Sequence, residues 1–273
     1  MLVTKDRPTE VFGLLQSLRT QTFKNWDIYI MDDRSGMRYD QYHFLNAMFN
    51  QLRLEGHKVF YMRSEVRLGV TKLRRKVIEI ILEKGNGNMI ARLDDDNLLN
   101  PDWLERLIKV LESGYDIASG LVPNTGNPLV KRSTKCVKPF MADIVLNDDG
   151  SIKEFGDDCG VLYLEDEIIP SPHFRSMGLM KREVCEKVKY EDNLGFCSFR
   201  EEEFFSFRAL VAGFKCAVDT GCIAYHMNTP SGGERTQEYY GNLQFNHELL
   251  NKFAKELFKK HGNFIEKYKE GFK

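Results

Sequence analysis

Hydrophobic positions along the chain change period in regular alternation. Short apolar runs bounded by turn residues give way to longer stretches in which apolar residues recur every three or four positions. The first pattern reads as strands buried on both faces, the second as amphipathic helices. Leu2-Val3-Thr4 ends a first strand, and Pro8 sits well as the first residue of a helix reaching about residue 20. Strands over 27–31, 58–62, 88–93 and 115–119 follow, separated by helices over 39–54, 70–83 and 101–111. Strands joined through helices imply a doubly wound sheet, whose ligands bind beyond the carboxyl ends of the strands. Chemistry is therefore expected just after strands.

From about residue 120 the rhythm breaks into a hairpin-rich stretch, with Asn147-Asp148-Asp149-Gly150 as its strongest turn signal. A strand over 175–180, a short helix over 181–188, a loop over 193–199, a helix over 201–212 and strands over 215–219 and 223–226 complete this part. The polar, Gly-rich stretch 228–236 reads as a loop able to close over a ligand. Beyond it Leu249, Leu250, Phe253, Leu257, Phe258, Phe264 and Ile265 form one apolar helical stripe, expected to pack in the core or against another subunit of a homo-oligomer. Lysines 252, 255, 259, 260 and 267 beside it leave a peripheral membrane role as the lesser alternative. The expected division is one domain over 1–235, in two parts that meet at 120/121, then a helical extension over 236–273.

Charge narrows the function. With 39 Lys and Arg against 40 Asp and Glu the net charge is −1, which disfavours a polyanion as main partner. No run of about 18 apolar residues predicts a transmembrane helix, and Lys5-Asp6-Arg7 interrupts the start as no signal peptide would. Cys136, Cys159, Cys185, Cys197, Cys216 and Cys222 contain no Cys-x-x-Cys pair, so they read as free thiols of a reducing, cytoplasmic compartment. No Gly-x-Gly-x-x-Gly or P-loop follows any strand, which removes the main support for a dinucleotide enzyme or a Walker NTPase.

The strongest chemical feature is Asp94-Asp95-Asp96-Asn97, directly after an apolar strand. One pair of such carboxylates about 4 Å apart costs on the order of 4 kcal/mol at an effective dielectric near 20. A hard divalent cation, Mg²⁺ or Mn²⁺, would remove that cost, with a substrate diphosphate filling its remaining positions. The ordinary alternative is an acidic turn that caps the helix after Pro101. Asp32-Asp33-Arg34-Ser35-Gly36 also follows a strand, where a carboxylate can accept from a nucleobase or ribose, though such a loop is equally ordinary turn chemistry. Glu201-Glu202-Glu203 opens a helix, which suits the helix dipole and also offers a general base in a cleft. His226, at a strand end, could complete a metal shell of carboxylate and diphosphate.

Taken in order, these segments resemble the family 2 inverting glycosyltransferases of the GT-A fold. Val3-Thr4-Lys5-Asp6-Arg7-Pro8, Trp26 to Ser35, Arg67-Leu68-Gly69, Asp94 to Asn97 and Pro101 carry the likeness over residues 1 to about 120. It resumes at Glu201 to Glu203 with Arg208 and Gly213, and at His226, while 120–195 matches nothing specific. The resemblance implies an α/β GT-A fold: a doubly wound, mostly parallel central sheet flanked by helices, with a small acceptor-side β-hairpin region and C-terminal helices. It further implies that Thr4, Asp6, Arg7, Arg67 and Arg74 line the nucleotide pocket and that Asp33 contacts the base. Asp95, or Asp94, would hold the ribose or donor sugar, and Asp96, at the family's Asp-x-Asp position, would bind Mn²⁺ or Mg²⁺ with His226. Glu202 falls at the catalytic-base position, with Glu201 or Glu203 as its substitutes. Arg75 replaces the Asn of the family's Ala-Arg-Asn segment, and the base is a Glu where Asp is usual.

The implied partners are a nucleoside-diphosphate sugar, UDP-linked before others, and a hydroxyl acceptor, a glycan or lipid-linked glycan rather than a nucleic acid. Residues 120–195, including Pro170-Ser171-Pro172-His173-Phe174, are expected to build the acceptor pocket. A nucleotidyltransferase of similar fold is the nearest enzymatic rival, though Lys5 to Thr9 contains no phosphate-gripping glycine. A non-catalytic sugar-binding protein is the rival from another class.

Overall fold

A computed structural model describes residues 1–125, 143–156, 166–174, 176–196, 199–230, 232–233 and 238–272. The first half alternates as the hydrophobic pattern predicts: β1 (Leu2–Thr4), α1 (Pro8–Arg19), β2 (Ile28–Asp32), α2 (His43–Leu54), β3 (Val59–Arg63), α3 (Val70–Lys84) and β4 (Met89–Asp94). A three-residue strand not expected from the sequence, β5 (Asn97–Leu99), comes next, then α4 (Trp103–Glu112) and β6 (Ile117–Leu121). The second half holds β7 (Ile144–Leu146), β8 (Ile152–Phe155), β9 (Ile168–Pro170), β10 (Gly178–Lys181), α5 (Arg182–Lys187), α6 (Glu201–Val211), β11 (Cys216–His226), α7 (Glu238–His261) and α8 (Phe264–Glu270).

The main sheet runs β3-β2-β1-β4-β10-β6-β11-β5, with β9 also on β11. β1 to β4 pair in parallel, as do β6 and β11, whereas β10 is antiparallel to both of its neighbours, β4 and β6. The two expected strands over 215–226 are one, β11, whose pairing with β6 shifts register between Asp219 and Ile223. Its other edge is shared, by β9 at Ala217 to Asp219 and by β5 at Ala224 to His226.

That sharing forces the sheet to curl. β4 and β5 stand four strands apart in sheet order, roughly 19 Å on a flat sheet, yet only Asp95 and Asp96 separate them in the chain. Three Cα–Cα steps span at most roughly 11 Å. The acidic cluster is therefore the turn across which the sheet closes on itself.

Helices cover both faces, as a doubly wound sheet requires. α1, α2 and α4 bury Leu14, Leu15, Phe49, Trp103 and Leu107 on one side, while α3, α5 and α6 bury Leu73, Val77, Val184 and Phe205 on the other. A third core joins β7, α6, α7 and α8 through Ile144, Phe204, Phe207, Leu250, Phe264 and Ile265. The apolar stripe is thus covered within the chain at Leu250, Phe264 and Ile265, while Leu249, Phe253, Leu257 and Phe258 pack against this core and stay half-buried. Its helix breaks at Gly262 (φ +72°), and the Asn263 side chain then caps α8 by accepting from Glu266 N at 3.1 Å. The expected hairpin is β7–β8, turned at Asn147 to Gly150 and seated against Phe258 of α7. Cys185, Cys216 and Cys222 are free and buried; the other three cysteines lie outside the described residues. No helix among the described residues is long and apolar enough to cross a membrane.

Candidate active site

A cleft of about 290 Å³ opens at the carboxyl ends of β1 and β4. Thr4, Arg7, Asp33, Arg74, Asp94, Asp95, Asp96, Glu201, Glu202 and His226 line it, from segments distant in sequence. A larger cavity of about 410 Å³ lies at the opposite ends of the strands, beside the buried Met1 N, which donates to Ala91 O at 2.6 Å. It has almost none of this chemistry, Asp27 being its one charged side chain among the described residues.

The chain supplies its own counterions for the acidic turn. Arg7 Nη1, placed where β1 hands over to α1, lies 2.7 Å from Asp95 Oδ1 and 2.9 Å from Asp96 Oδ2. Thr4 Oγ1 donates to Asp95 Oδ2 at 2.8 Å and also meets the buried Tyr39 hydroxyl, which accepts from Arg7 N at 2.9 Å. Asp94 pairs with Arg74 at 2.5 Å and accepts from Ser176 Oγ. Arg7, Arg74 and Arg92 all face the cluster and offset part of its charge within the chain. Burial still pushes Asp95 up to about 6; Arg7 opposes the change and Asp96 adds to it.

At the rim, His226 Nε2 lies 3.2 Å from Asp96 Oδ2, and its Nδ1 lies 3.1 Å from Asn124 Oδ1. β11 delivers it there because His226 is in register with Asn97 of β5, and Met227 N donates to Asp96 O at 2.8 Å. Gly233, in the stretch expected to close over a ligand, donates its N–H to Lys5 O at 2.7 Å and packs against the Arg7 guanidinium.

The opposite wall is the start of α6. Arg200 takes a left-handed φ of 73° and turns the chain into the helix, where three glutamates occupy the first turn. Glu201, with its side chain 1% exposed, pairs with both Arg74 and Arg92 at 3.0 Å. Glu202 meets Arg92 Nη2 at 2.5 Å and keeps 20% of its side chain open to solvent. Burial pushes Glu202 up to about 8, Arg92 being the main opposing influence and Glu201, Glu203 and Asp94 adding to the rise. Glu203 points elsewhere, to Arg200 at 2.8 Å.

Three expected site residues are placed differently. Asp33 lines the cleft but is 1% exposed, with its oxygens accepting from Leu68 N and Gly69 N, both at 2.8 Å, and from Ser64 Oγ at 3.2 Å. It braces the entry to α3. Asp6 accepts from Gly36 N at 2.7 Å and braces the loop after β2 outside the cleft lining, and Arg67 lies over the Phe196 ring, 4.5 Å from its centroid, also outside it. Lys5, Arg92 and Ser176 line the cleft without having been expected, as does Gly233 of the stretch expected to close over it. Arg92 alone carried a sequence signal, as a cation inside the apolar run Met89 to Leu93 that burial obliges to find partners.

A family model described as "Glycosyl transferase family 2" matches residues 2–156, more than half of the chain. The chain belongs to glycosyl transferase family 2. That membership takes the nucleotidyltransferase reading out of contention. Among solved structures, GalNAc-T7 with UDP, GalNAc and Mn²⁺ superposes with a TM-score of 0.68 at 15% identity, covering 98% of this chain and 54% of the other. TarS 1-349 of S. aureus in complex with UDP gives a TM-score of 0.57 at 13% identity, covering 92% and 64%. At such identities these likenesses establish the GT-A fold. A Sinorhizobium fredii (strain NBRC 101917 / NGR234) protein, "Uncharacterized protein y4gI", is 24% identical over 136 residues, half of this chain and 14% of its own length. This chain thus spans about half of GalNAc-T7 and a small part of the Sinorhizobium protein.

Proposed function

We propose that the chain transfers a sugar from a nucleoside-diphosphate sugar, UDP-linked, to a hydroxyl group of a glycan or lipid-linked glycan, with inversion at the anomeric carbon and Glu202 as general base. The observation that carries this reading is that, in a family 2 chain, Glu202 is the glutamate of its helix turn that both lines the cleft and keeps an open face, opposite the Asp94 to Asp96 turn. UDP in the GalNAc-T7 and TarS structures supports the choice of donor. An acidic cleft on a chain of net charge −1 favours a neutral glycan hydroxyl over a polyanionic acceptor.

The acceptor hydroxyl gives its proton to the Glu202 carboxylate as its oxygen bonds to the anomeric carbon from the face opposite the diphosphate, whose bond to that carbon breaks. Glu202 must be ionised to act, so turnover rises with pH. Arg7 and Arg74 face the side on which the diphosphate charge develops, and Thr4 holds Asp95 in place. The buried Asp96 carboxylate and the part-exposed His226 imidazole, meeting at 3.2 Å, would offer one oxygen and one nitrogen donor to Mn²⁺, or the oxygen alone to Mg²⁺. Among the described residues no third His, Cys, Asp or Glu joins them, so donor and water would supply the remaining ligands. When bound, the cation neutralises charge on the departing diphosphate.

A nucleotide-sugar hydrolysis screen with Mn²⁺ tests the reading, because slow attack by water reveals the donor without the acceptor. Glu202→Gln should lower kcat by about 10²- to 10⁴-fold with little change in donor KM. Undiminished turnover in Glu202→Gln would refute the base, and no nucleotide-sugar binding or turnover in the wild type would favour the non-catalytic alternative.

A further inference from the structure

Arg92 is 1% exposed, on the sheet beneath the cleft, and directs one nitrogen, Nη2, at three carboxylates: Glu202 at 2.5 Å, Glu201 at 3.0 Å and Asp94 at 3.8 Å. Its guanidinium lies 5.4 Å from the Phe174 ring centroid and 6.0 Å from that of Tyr190, and Phe205 packs against both rings. Nε and Nη1 have no hydrogen-bond partner among the described residues. A cation so desolvated, using one of its three nitrogens, weakens the fold relative to an apolar side chain of the same length. Its return must lie in what it does to the carboxylates.

The two glutamates depend on it unequally. Glu201 has a second cation, Arg74 at 3.0 Å, while among the described residues Arg92 is the sole cation within 4 Å of Glu202. Glu202 is otherwise faced by negative or neutral titratable groups: Asp94 from β4, Glu201 and Glu203 from α6, and Tyr190 from the segment after α5. Among the described residues no other cation lies within 4 Å of its carboxylate, Arg74 being engaged with Glu201 and Asp94, and the packed rings hold the guanidinium in place.

Resting on the reading of Glu202 as base, we propose that Arg92 is a positioning residue for that carboxylate, fixing its orientation at the cleft wall and holding it ionisable near neutral pH. Its part in the reaction is played through Glu202, the carboxylate that its Nη2 meets at 2.5 Å. This is consistent with Arg92 being the main influence opposing the effect of burial on Glu202.

The test follows Glu202 itself, through the δ-carbon signal of ¹³C-labelled glutamate, assigned by its loss in Glu202→Gln. Arg92→Met should raise the Glu202 titration midpoint by at least about one pH unit, the effect of removing an adjacent opposite charge. Arg92→Lys should return it more than halfway to the wild-type value. Should Arg92→Met fail to fold, Arg92→Gln, which keeps a donor without the charge, replaces it. A midpoint that stays put when the charge is removed overturns the proposal. In parallel, the acid limb of kcat for nucleotide-sugar turnover should move with the midpoint while donor KM holds within about threefold. If the midpoint moves but the kinetic limb does not, the coupling stands and Glu202 is not the base.

Discussion

Replacing Arg7 by methionine removes the cation shared by Asp95 and Asp96 while leaving an unbranched side chain of similar length to pack at the start of α1. Arg7 Nη1 lies within 3 Å of an oxygen of each aspartate, and all three side chains are nearly buried. Breaking a buried pair of this kind costs about 3–5 kcal/mol, because it strands charge rather than merely losing attraction. At about 2–4 °C per kcal/mol for a chain of this size, the melting temperature should fall by roughly 6–20 °C at pH 8. Asp95 already sits at about 6 because of burial. A folded-state pKa raised above the unfolded value means stability is lost as pH rises through it, and without Arg7 that window extends upward. The deficit of Arg7→Met should therefore be small at pH 5.5 and large at pH 8. Millimolar MnCl₂, a cation for the same carboxylates, should restore at least half of the loss. Differential scanning fluorimetry at both pH values, with and without Mn²⁺, decides it; an equal deficit at the two pH values with no response to Mn²⁺ would refute the electrostatic account of the turn.

Glu202 has the same sign: lifted to about 8 by burial, it makes the folded wild type lose stability as pH climbs from the ordinary carboxylate range toward 8, so the advantage in melting temperature of Glu202→Gln should grow across that range and level off above it. Gly69→Ala should cost about 2 kcal/mol in denaturant unfolding and raise donor KM, because φ is +82° and the added Cβ would stand 2.8 Å from Phe196 Cδ1, disturbing the turn that Asp33 braces. Phe264→Ala should cost about 3–5 kcal/mol, measured the same way, since the ring is 5% exposed and packs edge-on to Phe207 at 5.1 Å; a loss below about 1 kcal/mol would mean that the C-terminal helices are dispensable to the core.

The hydrophobic period revealed the first half almost element for element, because strands buried on both faces and helices with one apolar stripe differ in repeat. It missed β5 and β9, since three residues carry no period. It split β11 at Gly221, where a glycine inside a strand reads as a turn yet here accompanies a register shift. The antiparallel placement of β10 is a long-range choice with no local mark. At the site, the order and strand-end positions of Thr4, Asp94 to Asp96 and His226 were enough to bring them together. How the three consecutive glutamates face the cleft depends on the rotation of α6, some 100° per residue, which is set by the packing of its Phe205 against Phe174 and of its Phe204 and Phe207 in the third core. Arg92 in its apolar run signalled a need for partners but not which, because Arg74 and Arg92 lie on a different helix and strand from Glu201 and Glu202.

The central strand of the sheet is also the last of its neighbours to be made. β4 and β6 leave the ribosome well before β10, which must later enter between them, so for some sixty residues of synthesis both carry unpaired backbone edges. During the same interval Arg92 has neither the Phe174 and Tyr190 rings nor the two glutamates that will surround it. The nascent first half is therefore an open, sticky sheet with a naked cation in its middle, and it cannot close until the second half arrives. Such a chain should fold slowly and post-translationally, with chaperones guarding the gap, and residues 1–120 expressed alone should aggregate rather than form a small binding module.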